Sequence, residues 1–171
     1  EVMKRAVLFF VLSVFAGIAA AQAYPSRPVT IVVPFAAGGP TDIIARITGE
    51  YFSKALGQQF VVENVAGAGG TTGITRGAQA KPDGYVIGLG SMGTQAASTA
   101  LYPGLKYHPA TSFDQIGVAN YVPFLIVAKT AMPAATLGEF ISHVKANPGK
   151  ISHGHAGVGS ATHAATVAFN A

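Results

Sequence analysis

Short, nearly continuous apolar blocks alternate along this chain with longer blocks whose apolar positions recur at helical spacing. VTIVV (Val29–Val33) has the pattern of a strand covered on both faces. Residues 41–56 predict a helix, with Ile43, Ile44, Ile47, Tyr51 and Leu56 roughly on one side. A second strand is expected at 60–63, a turn at 64–73 and helix from there to about residue 80. Pro82-Asp83-Gly84 marks a turn before a third strand at 85–89 and a short helix at 94–101. Apolar strands separated by helices predict an α/β fold with a largely parallel sheet.

Beyond a loop at 102–112 the pattern starts again. Residues 116–120 (IGVAN), 122–128 (VPFLIVA) and 151–155 read as strands. Residues 136–146 read as a helix, with Thr136 and Glu139 at capping-box spacing and Asn147-Pro148-Gly149 as its stop. AGVGSATH (156–163) opens a last helix. The second half begins an α/β unit with too few strands to finish it, so the chain is expected to be a fragment of a longer protein.

Glycine gives the pattern chemical meaning. Strand ends run into glycine-rich turns before helices at 35–42, 67–73, 90–94 and 157–162. Glycine lets backbone N–H groups come close to a ligand, and a helix start adds unpaired donors and a positive dipole end. In a parallel sheet such loops share one edge, where they can converge on a small anion. Any one of these loops taken alone reads equally well as a tight turn with a helix cap.

The first residues stand apart. Lys4 and Arg5 precede an apolar run, AVLFFVLSVFAGIAA, and Ala21-Gln22-Ala23 has the small-x-small form of a cleavage site. Residues 1–23 therefore read as an export signal, cleaved after Ala23, with the product outside the cytoplasmic membrane. The chain has no cysteine, which excludes disulfides, thiolate metal sites and a cysteine nucleophile. Without residues 1–23, nine basic and six acidic side chains remain, a net of +3. The basic residues are scattered and not interleaved with aromatics, which argues against nucleic acid as a partner.

Other chemistries fit less well. GxxxxGK[ST], the nucleotide phosphate loop, is absent. A GxGxxG occurs at Gly88–Gly93 with Asp114 about twenty residues on, but a proline-rich loop intervenes where a compact βαβ unit is needed. Ser91 in LGSMG and Ser160 in GVGSA each lack one glycine of a nucleophile elbow. His153, His155 and His163 invite a metal, but no carboxylate lies near them in sequence.

YPSRPVTIVVPFAAGGPTD, GQQFVVENVAGAGGTTG, PDGYVIGLGSMGT, ALY and GVGSATH, in that order, resemble the solute receptors of tripartite tricarboxylate transporters, often called the Bug family. The resemblance runs from Tyr24 to about Ala168. It implies a type II periplasmic binding protein-like fold of two α/β domains, with 24–120 as the first domain and 121–171 as the truncated start of the second. It implies a monomeric periplasmic receptor without catalysis or cofactor, whose partners are a small carboxylate and integral membrane transporter subunits.

Carried onto this sequence, the resemblance places the backbone of Phe35, Ala36, Ala37, Gly38 and Gly39 against the ligand, with Asp42 near the first helix start. Gly69, Gly70 and Thr71 would form a second wall, and Ser91, Gly93 and Thr94 would offer amide and hydroxyl donors. Gly159, Ser160 and Ala161 would close from the other domain. HGHAGVGS departs from the family pattern. His155 therefore either faces the cleft, with affinity changing between about pH 5.5 and 7.5, or packs beside the hinge.

Overall fold

The computed structural model describes residues 23–171, so the expected export signal lies, but for Ala23, outside the described residues. At the centre is a parallel sheet of order β2-β1-β3, formed by β1 (Val29–Val33), β2 (Phe60–Asn64) and β3 (Val86–Gly88). β1 is the middle strand, and Val29, Val32 and Val33 expose none of their surface. Each such side chain contributes about 1.5–3 kcal/mol by leaving water, which accounts for the unbroken apolar block.

The chain crosses the sheet in one direction from β1 to β2 and in the other from β2 to β3. Right-handed crossovers then put the connecting helices on opposite faces. α1 (Pro40–Leu56) packs on β1 and β2, and α2 (Thr71–Ala78) packs on β1 and β3. α1 ends at Gly57, whose left-handed backbone directs its N–H to the carbonyl of Ser53.

The inward face of α1 differs from the expected one. Asp42, Ala45 and Gly49 are buried, while Ile43, Ile47, Tyr51 and Leu56 are exposed and Ile44 is half-buried. Contact distance explains the rotation. A side chain at Gly49 would begin 3.2 Å from both Ile31 Cδ1 and the carbonyl oxygen of Phe60. The helix lies so close to the sheet that only small residues fit between them, and the larger apolar residues turn outward as a stripe.

A π-helical turn (Gly93–Ala97) runs directly into α3 (Ser98–Leu101). α4 (Leu137–Ala146) and α5 (Ala161–Asn170) follow and touch through Phe140 and Phe169, whose ring centroids are 6.2 Å apart. The Thr136 hydroxyl accepts the Glu139 N–H at 3.3 Å, and the Glu139 carboxylate accepts the Ala135 N–H at 2.7 Å. The capping residues thus act as their spacing predicts, with the carboxylate reaching one residue further back.

The strands expected at 116–120, 122–128 and 151–155 do not form among the described residues. A strand needs a neighbour to complete its ladder, and these segments pair with nothing in the sheet. Ile116, Tyr121 and Val127 are more than four-fifths exposed, at 83%, 90% and 85%. One α/β sheet is therefore present among the described residues, and no helix there is long and apolar enough to cross a membrane.

The close approach of α1 yields a test. Gly49→Leu is expected to force α1 off Ile31 and Phe60 and to cost about 1–3 kcal/mol, as overpacked sites do. In urea the unfolding midpoint should fall while the slope stays constant. An unchanged midpoint would mean that the helix does not lie against the sheet at Gly49.

Candidate functional site

The strand register brings the glycine loops together. Val33 pairs with Asn64 and Val32 with Gly88, so the strands end nearly level and their loops leave one edge of the sheet. The first loop is braced from below. Asp42 is 3% exposed, and its carboxylate accepts the Gly38 N–H at 2.8 Å, Arg46 Nε at 3.0 Å and Asn64 Nδ2 at 3.0 Å. Asn64 Nδ2 also donates to the Phe35 carbonyl at 3.1 Å. The Arg46 hydrogen bond, the Gly38 N–H and the Asn64 amide together hold the Asp42 carboxyl down at about 2.

Asp42 therefore stands near the helix start as expected, with its carboxylate engaged inside the protein. Gly38, with φ +83°, lets the loop fold back onto it. Ala36, Ala37 and Gly38 are exposed, and Phe35 and Gly39 are half-buried.

The four loops meet around Gly70. A side chain there would begin 2.7 Å from Thr94 Cγ2 and 3.1 Å from Phe35 Cζ. Beside it, a side chain at Gly69 would overlap the Val158 carbonyl oxygen. At Gly93 one would begin 2.5 Å from the Ala161 nitrogen and 2.7 Å from the Gly159 oxygen. Phe35, Gly69, Gly70, Gly93, Thr94, Gly159 and Ala161 thus share one locus, although Gly159 and Ala161 come from far along the chain.

Most hydroxyls at this locus are turned to their own backbone. Thr71 Oγ1 donates to the Ala68 carbonyl, and Thr94 Oγ1 accepts the Ser91 N–H and donates to the Ser91 carbonyl. Buried Ser160 caps α5, its Oγ accepting the His163 N–H at 3.2 Å. Ser91 Oγ is different: with Gln95 Oε1 it is buried without a partner among the described residues. Some backbone donors are taken, the Gly70 N–H by the Gly67 carbonyl at 2.8 Å and the Thr71 N–H by the Ala68 carbonyl, and others remain. α1, α2 and the π-helical turn all begin without a side-chain cap, which leaves first-turn N–H groups for an anion.

The histidines form a separate cluster. The His155 and His163 rings meet edge to face with centroids 4.8 Å apart, and His153 lies 5.8 Å from His155. His155 Nδ1 accepts the Gly157 N–H at 3.0 Å and His163 Nδ1 accepts the Gly159 N–H at 3.3 Å. These bonds shape the 157–160 turn. Among the described residues, no three histidine or carboxylate side chains converge as a metal site.

Sequence reasoning missed Asn64, Arg46, Gln95 and Tyr102. Arg46 carries a readable signal, since it lies four residues after Asp42 on a predicted helix. Tyr102, whose hydroxyl donates to the Val158 carbonyl at 2.7 Å, has none, because its partner is 56 residues away.

Comparison with known proteins adds a family. A profile described as "Tripartite tricarboxylate transporter family receptor" matches residues 44–171. A protein encoded in the TAR-I ttuE-ttuC' intergenic region of Agrobacterium vitis is 44% identical over 141 residues, covering 82% of this chain and 40% of that relative. MatC from Rhodopseudomonas palustris, solved with bound malate, is 41% identical at a TM-score of 0.81, covering 86% of this chain and 50% of MatC. A second R. palustris protein, solved with adipate, is 30% identical at a TM-score of 0.73, covering 86% of this chain and 49% of that one. The chain spans about half the length of the curated relatives it matches, from 40% to 50% of the first two.

The Asp42 brace predicts a pH dependence. A carboxyl held below its ordinary value of 3.8 contributes stability above that value and loses it as pH falls through about 2. Asp42→Asn is expected to melt lower than wild type at neutral pH, with the gap narrowing as acid protonates Asp42. Melting temperature against pH for both proteins checks this. Parallel curves would remove the brace.

Proposed function

The chain belongs to the tripartite tricarboxylate transporter receptors, and from that premise we propose that it captures a small carboxylate outside the cytoplasmic membrane and presents it to the transporter's membrane subunits. The observation that carries this reading is the set of uncapped helix starts on one sheet edge around Gly70. Such donors suit a carboxylate, because a charge-assisted hydrogen bond is roughly twice as strong as a neutral one. Arg46 is already held by Asp42, so charge on the ligand is met by backbone dipoles and Ser91.

In this reading residues 24–120 supply one face of the site from a first α/β unit. Residues 121–171 begin a second unit, whose 157–161 turn supplies the other face. The receptor is exported, acts as a monomer and binds without turnover, as a receptor family does. Malate and adipate, held by the two R. palustris relatives, make dicarboxylates the first class to test.

The test is a thermal-shift panel pairing mono-, di- and tricarboxylates with their amides. An acid at 100 times its dissociation constant is expected to stabilise the protein by about 2.7 kcal/mol, and its amide should not. A folded protein that no acid stabilises would contradict the proposal.

A further inference from the structure

The 157–160 turn is held against the glycine loops by a residue outside the expected site. Tyr102 ends α3, which continues directly from the turn carrying Gly93 and Thr94. Its backbone N–H bonds to the Ser98 carbonyl at 3.0 Å, so the tyrosine is fixed to the element that carries the third loop. Its hydroxyl donates to the Val158 carbonyl at 2.7 Å. Its ring covers Gly159, where a side chain would begin 2.8 Å from Cε2.

The other side of the turn is equally tight. Gly69 approaches the same Val158 carbonyl closely enough to exclude any side chain. The Val158 peptide is therefore gripped between Gly69 and Tyr102, and Gly159, with φ +81°, bends the chain beneath the ring. Tyr107, the neighbouring tyrosine, is engaged elsewhere. It is buried and bonds Ser98 and the Thr94 carbonyl.

We infer that Tyr102 is a positioning residue for the ligand site, a latch that sets how closely the 157–161 turn approaches the Gly69–Gly70 and Gly93 loops. This rests on the receptor reading for its ligand, but the latch itself is a property of the unliganded chain. Without the hydroxyl the Val158 carbonyl loses its hydrogen bond, the turn opens more often, and a ligand between the two faces escapes sooner.

Tyr102→Phe keeps the ring and removes the hydroxyl, with Tyr121→Phe, at a tyrosine 90% exposed, as control. Hydrogen exchange on the unliganded proteins is expected to speed up at the Gly159 and Ser160 amides in Tyr102→Phe and nowhere in the control. With malate and adipate as probes, dissociation should accelerate about 3- to 10-fold, the range of one neutral hydrogen bond. Unchanged exchange would overturn the latch. Faster exchange with unchanged dissociation would overturn its link to the ligand. A wild type that binds no carboxylate defeats the receptor reading and this positioning role, whereas the exchange result still decides the latch.

Discussion

Everything at the candidate site depends on the parallel pairing of β1 with β2 and β3. Because all three strands point the same way and end nearly level, every strand-to-helix loop leaves from one edge. A one-residue slip would exchange the β1 side chains that face α1 with those that face α2, so packing on both faces of the strand locks the register. That register in turn decides which loops can meet. The core and the site therefore share one constraint: apolar burial of β1 aligns the glycines above it.

Glycine acts in two separable ways at this edge. At Gly38 and Gly69, backbone with positive φ turns the chain where a side chain would strain it. At Gly70 and Gly93, the absence of a side chain lets one loop touch another. The result is a surface of backbone donors that hydroxyls of Thr71, Thr94 and Ser160 stiffen from within. The charge of Asp42 is confined below the first loop, where Arg46 and two N–H donors balance it. An anion approaching from above meets dipoles, with the acidic group already engaged.

Much of this was legible in the sequence. VTIVV announced a buried strand, the Thr136–Glu139 spacing announced a capped helix, and three glycine turns after strands announced one shared edge, whereas the turn at 157–162 reaches that edge without a strand before it. The failures have physical causes. Ile43, Ile47 and Tyr51 looked inward because apolarity marks a face without saying how near the sheet lies, and near contact selects Ala45 and Gly49 instead. The apolar run at 116–128 looked like strands, but a strand is a property of a pair, and no partner among the described residues supplies its ladder. The inward turn of the Thr71, Thr94 and Ser160 hydroxyls was equally hidden, since donor chemistry does not reveal direction. Asn64 and Tyr102 act over long sequence separations, which no local pattern encodes.

In the proposed site, backbone N–H groups of converging loops hold a carboxylate. Amide chemical shifts of the 15N-labelled chain, followed while malate is added, test it most directly. Saturable shifts are expected, concentrated at the amides of Gly39, Thr41, Asp42, Gly69, residues 92–94 and Ala161, with succinamide producing none of them. Shifts that saturate elsewhere, or the same shifts with the neutral amide, would contradict a carboxylate cradle at this edge.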